Sequence, residues 1–134
     1  GVLGYELSVL DTPDTIKDEI RRQVKEYRTF DRVITDGEYY RLSSPYESDV
    51  SAYYFEYEGQ ILLSAVLTNG HAMIGKKKPC KKLAVRTADP KAVYRDTRTG
   101  LTVTGEQLRS GIEIGAFTPD ESGWDAKLWH FVKE

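Results

Sequence analysis

The chain is short of the residues from which catalytic sites and covalent staples are usually built. It has one cysteine, Cys80, and two histidines, His71 and His130, among 134 residues. A lone cysteine closes no internal disulfide, and these three side chains lack the short Cys/His spacing of a zinc motif. A dominant charge is also missing. Lys and Arg total 19 against 21 Asp and Glu, a formal charge of −2, so no overall field draws in nucleic acid or an anionic membrane. The longest apolar candidate, Ile61 to Leu67, is interrupted by Ser64, far short of the roughly 20 residues that a spanning helix needs. No basic segment and apolar core of a secretory signal opens the chain. The expected setting is therefore reducing and cytoplasmic, with no membrane or nucleic-acid partner. The length suits one domain and is too short for a complete eight-fold barrel.

What is present changes character once, near Gly37. Before it, Thr12-Pro13 reads as an N-cap followed by a first-turn proline, and Asp14 places negative charge where the helix dipole favours it. Ile16, Ile20, Val24 and Tyr27 recur at helical spacing, with Lys17, Asp18, Arg21, Arg22 and Lys25 on the other faces. A shorter helical turn through Phe30 to Ile34 follows, and Asp36-Gly37 ends it.

After Gly37 the pattern is one of short, tyrosine-rich and β-branched strands separated by turn signals. Strands are expected at about 38–42, 50–57, 60–67, 81–86, 91–96, 101–104, 112–115 and 126–133. Glu58-Gly59 marks the clearest hairpin, and Thr97 to Gly100 a second. Between Thr68 and Lys82 a long loop is expected, crossing between sheets as in a Greek key. The fold class is mainly β: an antiparallel β-sandwich of Greek-key type preceded by an N-terminal α-helical segment, with residues 1–36 helical and 37–134 forming the β-domain.

A search for chemistry returns structural explanations. Acyl transfer needs a nucleophile with a histidine base, but His71 falls in the long loop and His130 between Trp129 and Phe131 in the last strand. Asp11 and Asp14 flank a helix start, and Asp120-Glu121 precede a glycine turn. A glycosidase needs two carboxylates facing each other across the scissile bond, and no pair declares itself. The lysine run Lys76, Lys77, Lys78, Lys81 and Lys82 has no interleaved aromatics and reads as a solvated loop that also guards a strand edge. No catalytic, cofactor-binding or metal-binding residue is assigned. The aromatic content, 9 Tyr and 2 Trp, fills a core or a domain interface, or presents sugar-binding platforms.

Several segments in order carry a resemblance. Gly4-Tyr5-Glu6-Leu7 opens the chain, followed by Ile20, Gln23, Tyr27 and Phe30. Gly37-Glu38-Tyr39-Tyr40-Arg41-Leu42 and Ser44-Pro45-Tyr46-Glu47 come next, then Asp89-Pro90, Tyr94, Gly105-Glu106-Gln107-Leu108 and Gly111-Ile112. This succession resembles the tail of a family 36 glycoside hydrolase of the bacterial α-galactosidase type. The resemblance implies that residues up to about 36 end a (β/α)8 barrel and that the rest is a C-terminal β-domain. It implies a parent enzyme that hydrolyses terminal α-galactosides with retention, through carboxylates lying outside this chain. The implied partners are the catalytic barrel domain, α-galactosides through the parent enzyme, and further copies in a homo-oligomer. Gly123-Trp124-Asp125 echoes the family's Lys-Trp-Asp nucleophile motif, but glycine replaces the lysine and Lys127-Leu128 stand where Asn-Arg is expected, so Asp125 is not read as the nucleophile. The expected function is a non-catalytic accessory domain, the alternative being a carbohydrate-binding module that uses exposed Tyr or Trp.

Overall fold

The computed structural model describes residue 8 and residues 10–68, 82–113, 115–119, 123 and 125–134. Helix α1 spans Asp14–Tyr27 and α2 spans Asp31–Thr35. Strands β1 (Glu38–Ser43), β2 (Val50–Tyr57) and β3 (Gln60–Leu67) form an antiparallel meander. Then come β4 (Lys82–Leu83), β5 (Val93–Asp96), β6 (Thr102–Thr104), α3 (Gly105–Ser110), β7 (Ile112–Glu113) and β8 (Ala126–Lys133). A six-stranded sheet runs in the order β1-β2-β3-β8-β5-β6, and β4 pairs with β7 in a second, small sheet. Every pairing is antiparallel. The expected mainly β, antiparallel class is the observed one.

The β2–β3 hairpin closes where Glu58-Gly59 was read. Both residues are left-handed, with φ 46° and 77°, as a two-residue turn matching the strand twist requires. The second turn also stands: Asp96 Oδ2 accepts from the backbone N–H and hydroxyl of Thr99 at 3.1 and 2.6 Å, and Gly100 takes φ 75°. Other expectations are corrected. Thr12 does not cap α1; the N-cap position is Pro13, and the Thr12 hydroxyl instead donates to Ser8 O at 2.6 Å. The 81–86 strand shrinks to Lys82–Leu83 because Val85 N–H turns to Leu108 O in α3. The 91–96 strand starts only at Val93, since Asp89 holds the preceding turn through Lys91 N–H and Ala92 N–H. The 112–115 strand is described only at Ile112–Glu113, with Ile114 outside the described residues. The Gly105 to Leu108 segment, where no helix was expected, opens helix α3. A capping box starts it: Gln107 N–H donates to Thr104 Oγ1 at 3.1 Å and Thr104 N–H to Gln107 Oε1 at 2.8 Å. Of the expected 68–82 loop, residues 69–81 lie outside the described residues.

Alternation along the strands sorts side chains into two faces. On the inner face Ala52, Tyr54, Ile61, Leu63, Ala65, Tyr94 and Phe131 meet a second layer supplied by Leu83, Val85, Leu108 and Phe117. On the outer face α2 lays Val33, with Phe30 just before it, onto Leu62, flanked by Phe55, Tyr57 and Leu128. Strand β3 is therefore covered on both sides, which explains its nearly continuous apolar run. Gly37 lets α2 hand over to β1 at this spot, because a Cβ there would collide with the carbonyl oxygens of Val33 and Glu56.

Candidate functional site

His130 comes closest to a catalytic arrangement. Its Nδ1 lies 3.1 Å from Thr97 Oγ1 and its Nε2 3.0 Å from Gln60 Oε1, a hydroxyl, an imidazole and an orienting group in sequence. The surroundings turn this chain into a staple. The imidazole is 3 % exposed and meets the Phe30 ring edge-on at 5.7 Å. Thr97 N–H is committed to His130 O at 2.9 Å, and Asp96 Oδ1 accepts from His130 N–H at 3.0 Å. Burial holds the imidazole below its usual pKa, against the pull of the Asp96 charge. A neutral ring donating to Gln60 and accepting from Thr97 ties the β5–β6 turn, β8 and the β2–β3 hairpin together.

The remaining candidates separate. Asp125 accepts from Thr118 N–H at 2.7 Å while its carbonyl takes Leu67 N–H at 2.9 Å, so it joins the segment before β8 to β3. Asp11 accepts from Ser8 Oγ at 2.7 Å and Asp14 pairs with Lys17 at 3.4 Å, both local to the start of α1. His71, Cys80, Lys76, Lys77, Lys78, Lys81, Asp120, Glu121 and Trp124 lie outside the described residues; Lys82 is exposed on β4. Among the described residues no three His, Cys, Asp or Glu side chains are grouped to hold a metal, and no helix is long and apolar enough to cross a membrane.

The feature that sequence reasoning could not orient is α1. None of its 14 residues is fully buried, though Ile20, Gln23, Val24, Glu26 and Tyr27 are half-buried. Arg22, Lys25, Glu26 and Thr29 line a groove of about 1040 Å³ whose other wall includes Gln60, Thr97, Arg98 and Lys127. Arg98 reaches across it, its Nε 2.8 Å from Glu26 Oε1, while its guanidinium also donates to Leu128 O at 2.8 Å. At about 100° per residue, Arg22 and Lys25 lie on the side of α1 opposite Ile16, Ile20, Val24 and Tyr27, with Glu26 at the flank and Thr29 just past the helix end. The polar side of α1 thus lines the groove over its own sheet, and the apolar stripe stands on the other side, with Ile16 51 % exposed and Ile20, Val24 and Tyr27 half-buried. Tyr27 packs on the outer-face cluster, meeting Phe30 edge-on at 5.8 Å. Exposed pairs such as Arg21–Asp18 at 2.5 Å and Arg22–Glu19 at 2.6 Å decorate the solvated faces. Hydrogen bonds from Arg22 and Gln23 pull the Glu19 carboxyl down to about 2. Such screened contacts contribute little to holding a helix in place.

A second apolar feature lies on the outer face of β1 and β2. Tyr39, Tyr53 and Phe55 touch one another with ring centroids 5.3 to 5.9 Å apart. Their inner-face neighbours Tyr40 and Tyr54 stack at 4.8 Å, and Glu38 accepts the Tyr40 hydroxyl proton, which pushes that phenol up to about 12.

By fold the chain is an antiparallel β-domain led by a short helical segment, and its relatives give that class a family. It is 31% identical over 123 residues to the bifunctional alpha-galactosidase/sucrose kinase AgaSK of Mediterraneibacter gnavus, covering 90% of this chain and 13% of that protein. It is 28% identical over 132 residues to alpha-galactosidase Mel36A of Lactobacillus acidophilus, covering 98% of this chain and 17% of that protein. The solved structure of the family 36 alpha-galactosidase AgaA from Geobacillus stearothermophilus superposes with TM-score 0.80 at 23% identity, over 98% of this chain and 18% of that one. No family model matches the sequence. The chain belongs to family 36 of the glycoside hydrolases, where it corresponds to the C-terminal β-domain of the α-galactosidases. It spans less than a fifth of the length of these relatives.

Proposed function

We propose that this chain is a non-catalytic accessory domain of an α-galactosidase, docking through α1 on the region that carries the catalytic carboxylates. The parent enzyme hydrolyses terminal α-galactosides. Residues up to 36 go with the end of its catalytic barrel, and residues 37–134 form the β-domain that packs beside it. The observation that carries this reading is the orientation of α1. An isolated helix of this length is marginal in water, and burying an Ile or Val side chain is worth about 1.5–3 kcal/mol. Ile16 is exposed and Ile20 and Val24 only half-buried, outside both apolar clusters of the described residues, which leaves part of that stabilisation to another body. The small share of each α-galactosidase that the chain covers supplies such a body.

The experiment is Ile20→Asp in the complete enzyme. The thermal midpoint of the catalytic region should drop and activity decay faster on warming, while the separate 134-residue chain carrying the same change unfolds as before. An unchanged midpoint in the complete enzyme rejects the docking role. A carbohydrate-binding module is the second reading, and the Tyr39, Tyr53 and Phe55 cluster favours it. Against it, Tyr39 and Phe55 meet at 61° and Tyr53 and Phe55 at 89°, so the rings lean on one another instead of offering one flat platform to a pyranose. Trp129 packs against the inner core.

A further inference from the structure

Resting on the docking reading of α1, we infer that the surface of the catalytic region that receives this helix is apolar and carries no net charge, so that aliphatic packing makes the contact and salt does not weaken it. The chain matches less than a fifth of its α-galactosidase relatives. Most of a parent enzyme therefore lies outside it, with ample surface to meet one helix.

The stripe asks for nothing polar. Ile16, Ile20 and Val24 follow one another at four-residue spacing, the spacing of a packing ridge along a helix, and none of the three has a hydrogen-bonding side-chain atom. None belongs to either apolar cluster of the described residues. A charged group set against such a ridge would lose its water and find no partner in return.

The charges beside the ridge are already answered inside the chain. Asp14, Asp18, Glu19 and Glu26 balance Lys17, Arg21, Arg22 and Lys25, so α1 has no net charge. Lys17 pairs with Asp14 at 3.4 Å, Arg21 with Asp18 at 2.5 Å, and Arg22 with Glu19 at 2.6 Å and Glu26 at 3.5 Å. Glu26 also meets Arg98 at 2.8 Å, and Lys25 lines the groove on the far side from the ridge. Arg28, just past the helix end, adds a cation at the rim, where polar groups border an apolar contact. A receiving surface of one sign would face no field of the opposite sign. It would have to break these short pairs to gain anything from them.

Hydrogen exchange of α1 in the complete enzyme tests this with Ile20→Glu and Ile20→Lys. Each is referred to the same change in the separate 134-residue chain, so that effects on the helix itself cancel. Both signs should speed α1 exchange in the complete enzyme by a similar factor, about ten-fold or more. Protection of the native helix should be the same in about 0.1 M and about 1 M NaCl, between which the screening length falls from about 10 to about 3 Å. If one sign is tolerated and the other is not, or if native protection fades at the higher salt, the receiving surface is charged; the inference falls and the docking of α1 stands. Tolerance of both signs beside a protected native helix puts the contact elsewhere on α1 and also overturns the inference. If α1 is no better protected in the complete enzyme than in the separate chain, the docking reading and this inference fail together.

Discussion

Single residues carry more of this fold than composition suggests. Gly37 sits where the helical segment enters the sheet, and the obstacles to any side chain there are the backbone carbonyls of Val33 and Glu56, which cannot rotate aside. Gly37→Ala should therefore cost about 1–3 kcal/mol, read as a lower urea midpoint at unchanged slope. His130 gives a pH signature. Burial holds its folded pKa below the ordinary 6.5, so the unfolded chain binds the proton more readily. The contribution of neutral His130 is complete above about pH 6.5 and is lost as the pH falls below it. Stability measured from pH 7 down to pH 5 should decline more steeply for the native chain than for His130→Gln; parallel profiles would mean that the imidazole is not kept neutral by burial. His130 was legible from sequence as a packed strand histidine, since it lies between Trp129 and Phe131. Its partners Gln60 and Thr97 were not, because they arrive from the start of β3 and the β5–β6 turn, 70 and 33 residues away.

At the scale of elements, legibility followed the strength of the local pattern. Strands β2, β3 and β8 were read to the residue because long alternation with a paired neighbour leaves no slack in register. Strands β4 and β5 came out shorter than their β-branched content suggested, because backbone donors next to them are taken by α3 and by the Asp89 turn. Helix α3 escaped notice although Thr104 and Gln107 stood at capping-box spacing; six residues opening on glycine give no helical periodicity. The β2–β3 turn carries a correctable flaw. Glu58 occupies the left-handed region that asparagine tolerates better. Glu58→Asn should raise stability by about 1 kcal/mol with the sheet unchanged, and a fall in the thermal midpoint would show that the Glu58 side chain does something the turn does not require.

The whole molecule is a two-layer domain led by a helix whose polar side lines a groove over the sheet. The sequence pattern revealed the apolar stripe on α1, yet a stripe does not say on which side the sheet lies. Only the Glu26–Arg98 pair and the polar groove place the sheet against the opposite face. That arrangement fits the proposed docking of the helix on another part of a longer α-galactosidase, of whose length this chain matches less than a fifth.

Hydrogen exchange of α1 tests this most directly, comparing Asp14–Tyr27 in the separate 134-residue chain and in the complete α-galactosidase. The account predicts that in the separate chain the amides of α1 exchange orders of magnitude faster than those of β3, and that in the complete enzyme they become about as protected as the sheet. An α1 already protected like β3 in the separate chain, or equally unprotected in both, would contradict it.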